Sequence, residues 1–279
     1  MAYLIKISEN ASSASPALTA RSAIRFYNLV HRPDLPSPTD AANVSMLMKG
    51  IERKFSSPVK KRLGTSPDIL RKFIDLLCFD QLKHCLFKQP LDLWFLVAKT
   101  IVKFHCFARF EEVVALKWNN IKFLDDGNVE ITFTKGKNNQ FHHAHTSVIT
   151  KCINSLVHCP VNILKKFYLV LGSPDKTSFF LPKLTNGKPI FYEQVSYPFC
   201  VKQFKAGLQK IGVNPAGYGE HSDRTGALST AAFNGCSPSE LQIQGRWKSD
   251  QTPKLYLKKS VEQRGRVSGV LNHAKSVPR

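Results

Sequence analysis

The sequence predicts a mainly α-helical protein with a small antiparallel sheet, arranged in two parts. A small helical region covers residues 1–60, and a larger helical domain covers 65–279. Three observations predict this. Apolar residues recur at helical spacing in most segments, as at Ala20, Ala23, Ile24, Tyr27 and Val30. One stretch, 121–149, reads instead as short runs of strand formers with Asp126-Gly127 between the first two, which is a hairpin signal. Between the two helical parts, Ser56-Ser57-Pro58, Lys60-Lys61-Arg62 and Gly64 give residues 56–67 the composition of a basic linker.

The elements follow in order. Leu18 to Val30 forms a helix with Arg21 and Arg25 on a face away from its apolar stripe. Pro33, Pro36 and Pro38 break the chain, and Thr39 or Asp40 is placed to cap a second helix running to about Phe55. Ser66 followed by Pro67 starts another helix. The apolar stretch 91–107 contains Asp92, Lys99, Lys103 and His105, so it reads as a buried core helix and not as a bilayer span. A short helix is expected from Glu111 to Trp118, then strands at 121–124 and 129–134. A third strand, Phe141 to Ile149, is reached across Lys135-Gly136-Lys137-Asn138. Helical pattern resumes, with loops around Gly172–Lys176 and Thr185–Pro189. His221 to Phe233 is helical, with Gly235 as the residue past its end. Ser237-Pro238-Ser239-Glu240 is a capping box with Pro at the first helical position. Thr252-Pro253 repeats the device and sets Tyr256 in the first turns of a short helix. No internal repeat is present.

Composition narrows the partners. Forty Lys plus Arg stand against twenty Asp plus Glu in 279 residues, a formal net charge of +20 spread along the chain. A field of that sign concentrates polyanions, and phosphates neutralised by it release counterions. DNA or RNA is the leading partner; the plainer alternative is a basic protein with no polyanion partner. No membrane segment and no secretory leader pattern are read. Seven Cys, an odd number without a CxxC pair, point to a reducing compartment. His142, His143 and His145 read as structural or phosphate-contacting, since a strand puts only His143 and His145 on one face; no metal site is expected.

The residues with chemistry in them are Arg109, then His221-Ser222-Asp223-Arg224, then Gly245-Arg246-Trp247, then Tyr256. A His and an Arg one helical turn apart grip a phosphodiester, a second guanidinium from Arg109 brackets it, and a Trp supplies one further N–H donor. A Tyr hydroxyl is a weak nucleophile, with a pKa of about 10, that attacks phosphorus once activated.

These residues resemble the motifs of the tyrosine recombinases, also called the phage integrase family, in their Cre-like form. Arg109-Phe110-Glu111-Glu112 followed by an apolar stretch ending at Trp118 resembles the first arginine motif, although Phe107-Ala108 stand where Gly and an aliphatic residue are usual. Lys135-Gly136-Lys137 resembles the hairpin lysine. His221-Ser222-Asp223-Arg224 resembles the second motif, with Asp223 where an aliphatic residue is common, and Gly245-Arg246-Trp247 the last pocket residue. Residues 1–55 are more loosely similar to a shortened core-binding domain, and 35–39 to recombinases of eukaryotic mobile elements.

The resemblance implies a catalytic domain that cleaves and rejoins DNA through a 3′-phosphotyrosyl bond formed by Tyr256, with no cofactor, metal or ATP. It implies that Arg109 and Arg224 bind the phosphate and that His221 bonds it or takes the Tyr proton. Trp247 donates and packs, Lys135 or its rival Lys137 protonates the leaving oxygen, and Glu112 orients Arg109. Double-stranded DNA and a homo-oligomer, a tetrameric synapse on DNA, are the implied partners. The nucleus is the implied compartment if the host is eukaryotic. Candidate backbone contacts are Arg21, Arg25, Lys60, Lys61 and Arg62. Each residue also has a plain reading: Arg109 with Glu112 as a surface pair, Trp247 and Tyr256 as packing residues, Lys135 and Lys137 as a solvated turn. Two other functions stay open, a host-adopted protein that binds DNA without cutting it and a type IB topoisomerase.

Overall fold

The computed structural model describes residues 1–56, 62–78, 89–134 and 144–247. The chain divides into two compact units, Met1–Lys61 and Arg62–Arg279.

The first unit is three helices, α1 (Ala2–Glu9), α2 (Ser15–His31) and α3 (Ala42–Lys54), around Leu4, Ala17, Val44, Met48 and Ile51. The inward face of α2 is not the predicted stripe. Tyr27 and Val30 are exposed, while Ala17, Ala20, Arg21, Ile24 and Asn28 turn inward. Polar groups share that face because partners await them: Arg21 Nη2–H donates to the Thr39 carbonyl (3.2 Å) and the Ser45 hydroxyl (3.4 Å), and Asn28 Nδ2–H to the Leu35 carbonyl. Arg21, expected as a phosphate contact, is thus spent inside its own unit, and Arg25 lies 3.6 Å from Asp40. The expected cap at Thr39 or Asp40 is also displaced. Ser37 accepts from the Thr39 N–H to open a 3₁₀ turn, Pro38–Asp40, and α3 starts only at Ala42.

The second unit is built on α5 (Leu91–His105), whose Trp94, Phe95, Val97, Ala98, Ile101 and Val102 are buried. Around it pack α4 (Pro67–Cys78), α7 (Pro160–Val170), α8 (Tyr197–Lys210) and α9 (Ser222–Phe233). Ser66 Oγ accepts from the Ile69 N–H, as a Ser-Pro start requires. The short helix α6 (Phe110–Val114) stops earlier than predicted. Asn120 Oδ1 accepts from the Lys117 N–H and turns the chain through a 3₁₀ segment, Trp118–Asn120, into the sheet.

The sheet is β1 (Ile121–Phe123), β2 (Val129–Phe133) and β3 (His145–Ile149), antiparallel in that order. Ile121 pairs with Ile131 and Val129 with Ile149, so these residues and Phe133 face the core on period two. A second hairpin, β4 (Pro182–Thr185) and β5 (Lys188–Gln194), stands where a loop was expected around Thr185–Pro189. Asn186 and Gly187 have φ of 52° and 74°, the geometry of a type I′ turn. Its strands are mostly exposed, so no buried apolar alternation announced them. Helix α10 (Pro238–Gly245) opens on the expected box, with Ser237 N–H donating to Glu240 (2.6 Å) and Glu240 N–H to Ser237 Oγ (3.3 Å). No described helix is long and apolar enough to cross a membrane.

The strand-like stretch 62–66, predicted as part of a linker, is strapped to the domain. Leu63 N–H donates to the Gly217 carbonyl (2.7 Å), Thr65 N–H to the Ser222 carbonyl (2.9 Å) and Arg62 to the Ala216 carbonyl (3.2 Å). The strap lies so close to α9 that a Cβ on Gly226 would sit 1.8 Å from the Thr65 carbonyl oxygen. Only glycine fits there without moving backbone. Gly226→Ala is therefore expected to lose about 3 kcal/mol of stability, at the upper end of overpacking costs, measured as a lowered urea midpoint with an unchanged slope.

Candidate active site

The first arginine sits at the end of a tight turn. Leaving α5, the chain passes Phe107 at φ 47°, a left-handed conformation that costs a non-glycine residue roughly 1–3 kcal/mol. Phe107 occupies the place where the resembled motif has Gly, so the turn is kept with a bulky residue in it. Its ring is held in a cluster with Ala227, Leu228, Leu241 and Trp247, which offsets the strain by burial. Arg109 then caps α6. Its N–H donates to Glu112 Oε2 (2.8 Å) and its Nη1–H to Glu112 Oε1 (2.7 Å). Burial alone would raise the Glu112 carboxyl, but the Arg246 and Arg109 charges and the Arg109 N–H outweigh it and hold the group below the ordinary carboxylate range.

The second arginine is the most enclosed of the predicted residues that lie among the described ones. Arg224, in the first turn of α9, is 1% exposed. Nη1–H donates to the Phe107 carbonyl and Nη2–H to the Gly245 carbonyl (3.0 Å), and the guanidinium lies 4.5 Å from the centroid of the Trp247 ring. Trp247 in turn folds back over Gly245, where a Cβ would be 1.9 Å from its Cζ3. The Gly-x-Trp spacing therefore has a local cause, since the glycine is the floor on which the indole rests. Three segments far apart in sequence, 106–112, 221–224 and 245–247, are locked by these contacts.

Beneath α9 lies a buried charge network that sequence reasoning did not find. Lys99 and Lys103 of α5 are each 1% exposed. Lys99 Nζ donates to Glu220 Oε1 (3.1 Å) and the Cys200 carbonyl (3.3 Å). Lys103 Nζ donates to the Glu220 carbonyl and carboxylate and lies 3.4 Å from Asp223, whose other oxygen accepts from Thr65 Oγ1 (2.8 Å). This accounts for Asp223 where an aliphatic residue is usual: it faces a buried ammonium. Burial would raise the Glu220 carboxyl, yet Lys99 and Lys103 hold it down to about 2. Burial works against the charged form of Lys103 too, but the two carboxylates raise its pKa, so it stays an ammonium.

His221, immediately before α9, is exposed. Partial desolvation and the positive charges of Lys103 and Arg224 lower its pKa, with Glu111 and Glu220 pulling the other way, so it is neutral at pH 7. Lys135, Lys137, Tyr256, Lys60, Lys61, His142 and His143 lie outside the described residues. Among the described residues no cluster of His, Cys, Asp and Glu has the arrangement of a metal site. Arg246 was also missed, although it shares Glu112 with Arg109 at 2.8 Å. Its only sequence signal was its place between two motif residues.

The network has a pH signature. Glu220 has a folded-state pKa of about 2, below its unfolded value of about 4.3. Its contribution is fully present above the unfolded value and is lost as pH falls through the folded one. Stability is expected to drop between roughly pH 4.5 and 2, and Glu220→Gln should flatten that drop in acid-titrated denaturation curves. At pH 7 the same variant takes the carboxylate from Lys99 and leaves Lys103 with Asp223 alone, and should cost about 3–5 kcal/mol.

No protein-family model matches this sequence, and no curated protein matches it. Solved structures do match the fold. The Tn1549 transposon integrase in complex with transposon right end DNA superposes with a TM-score of 0.60 at 13% identity, covering 98% of this chain and 84% of that one. A lambda integrase dimer bound to a COC′ core site gives 0.54 at 17% identity, over 91% of this chain and 61% of the other. The pre-cleavage complex of the XerH site-specific recombinase with its difH substrate gives 0.52 at 15% identity over 76% of this chain, which spans 54% of the XerH chain. The fold is that of the tyrosine recombinases.

Proposed function

We propose that this chain is a tyrosine recombinase, a site-specific enzyme that cleaves and rejoins double-stranded DNA. One observation carries the reading. The turn before Arg109, the helix start at 221–224 and the Gly245–Trp247 segment are joined by side-chain contacts, Arg224 to the Phe107 and Gly245 carbonyls and Trp247 over Arg224, within a fold shared with recombinases.

On this reading Tyr256 Oη attacks the scissile phosphorus. A Tyr–O–P bond forms, the P–O5′ bond breaks, and the 5′ oxygen takes a proton from Lys135 or Lys137. The 3′-phosphotyrosyl ester is close in energy to the bond it replaced, so a 5′-hydroxyl of another strand reverses the step without ATP. Arg109 binds a nonbridging oxygen while Glu112 fixes its plane. Arg224 contributes a permanent charge held rigid by two carbonyls, the preorganised arrangement that stabilises charge as it develops. His221, neutral at pH 7, accepts the Tyr256 proton or donates to the phosphate. The excess of cations along the chain holds duplex DNA mainly through its phosphates, and the active species is a homo-oligomer, a tetrameric synapse on DNA.

A second reading, a DNA-binding protein that no longer cuts, is favoured by the 1% exposure of Arg224. Covalent trapping separates the two. The intact chain and Tyr256→Phe are incubated with randomised, nicked duplexes and run on a denaturing gel. The recombinase reading expects an adduct from the intact chain alone, reduced about 10²–10³-fold by Arg109→Ala. DNA binding that is retained and salt-sensitive, without an adduct, would select the second reading.

A further inference from the structure

Arg246 stands between two residues of the last motif and belongs to neither the nucleophile nor the phosphate-binding set. Its backbone is in the left-handed region, φ 56°, which glycine adopts without strain. Its side chain is 7% exposed and is held at both terminal nitrogens. Nη2–H donates to Glu112 Oε2 (2.8 Å), and Nη1–H is shared among the Cys106 carbonyl (2.9 Å), Ser147 Oγ (3.1 Å) and the Gln244 carbonyl (3.3 Å). The guanidinium lies 4.3 Å from the centroid of the Phe133 ring. One side chain therefore ties the end of α10 to the turn after α5, to α6, and to β2 and β3 near the base of their connection.

Stability alone does not account for this residue. A glycine would relax the backbone, and apolar packing generally serves stability as well as a buried ion pair does. Strain and a buried charge together, one carboxylate away from Arg109, mark a functional device. Glu112 is the hinge of the argument. Its Oε1 accepts from Arg109 Nη1–H, and its Oε2 accepts from both the Arg109 N–H and Arg246 Nη2–H, so Arg246 and the Arg109 backbone together set the plane of the carboxylate, and with it that of the Arg109 guanidinium.

We propose that Arg246 is a positioning residue for strand cleavage: acting through Glu112, it fixes the Arg109 guanidinium against the scissile phosphate, and through Ser147 and Phe133 it ties β2 and β3 to the same point. This rests on the recombinase reading. Neither guanidinium need move during the reaction, because the orientation is prepaid in the folded site.

The test uses the intact chain and the duplexes enriched by trapping, made with either a normal phosphodiester or a methylphosphonate at the trapped linkage. A methylphosphonate lacks the negative charge that Arg109 serves. Arg246→Gly, which suits the left-handed backbone, should bind DNA as the intact chain does but cleave the phosphodiester about 10²-fold more slowly. On the methylphosphonate the deficit relative to the intact chain should shrink at least tenfold, as it should for Arg109→Ala. Arg246→Lys keeps the charge but cannot reach Glu112, Cys106 and Ser147 at once, and carries the same comparison should the glycine variant unfold. Equal cleavage by the variants, or an equal loss on both substrates, overturns the inference and leaves the recombinase reading standing. No adduct from the intact chain on either substrate overturns that reading, and the inference with it.

Discussion

The docking of α9 onto α5 depends on four buried charges, and the geometry of the candidate site follows from it. Lys99 and Lys103 project from a helix whose other faces are packed in hydrocarbon, and Glu220 and Asp223 meet them from the start of α9. Each charge alone would be prohibitive in that setting, because desolvation of an ion costs several kcal/mol even after relaxation. Together they are satisfied, and the requirement for matching partners fixes the register of one helix on the other. That register sets where His221 and Arg224 emerge. It also explains the strap at 62–66, since Thr65 supplies the hydroxyl that completes Asp223.

Two strained backbones flank the same cluster, Phe107 at φ 47° and Arg246 at φ 56°. Glycine would be comfortable at both, yet both carry side chains that hold the site together. The Phe107 ring packs 6.3 Å from Trp247, and its carbonyl holds Arg224. The Arg246 guanidinium holds Glu112. The local strain is offset by contacts between segments more than a hundred residues apart, so the conformation of each turn depends on the other's side chain. Sites of this kind are over-determined by their surroundings, the condition under which unfavourable φ values persist.

Sequence reasoning reached the parts of the fold that local chemistry dictates. The Ser66-Pro67 start, the Asp126-Gly127 hairpin, the Gly235 end of α9 and the Ser237–Glu240 box are each written in residues that interact within a few positions of one another. It did not reach features that depend on distant partners. Arg21 and Asn28 share the inward face of α2 because of acceptors within and just after the proline-rich turn, which no apolar periodicity reveals. Lys99 and Lys103 looked like interruptions of an apolar helix, although the carboxylates that explain them lie more than a hundred residues further on. The Asn186-Gly187 hairpin carried a local signal, but its exposed strands lacked the alternation that would have supported it. Arg246 was invisible because its role is defined by Glu112, Cys106 and Ser147, none near it in sequence.

The charge balance of the site differs from that of the chain. Around α6, the inner face of α5 and the start of α9, five permanent or near-permanent cations, Lys99, Lys103, Arg109, Arg224 and Arg246, face four carboxylates, the exposed Glu111 and the buried Glu112, Glu220 and Asp223. One positive charge is left in excess, in a region where most of these groups are buried and their interactions are weakly screened. A phosphodiester brings one negative charge and gathers more on its nonbridging oxygens as a fifth ligand approaches phosphorus. A site with a fixed excess of cations, held by packing rather than by solvent, is suited to that change because no dipoles must reorient as the charge grows. The +20 of the whole chain is a long-range field of the sign that attracts polyanions. The small excess inside is instead organised by Glu112 and the α5–α9 network, at positions fixed by the packing of three distant segments.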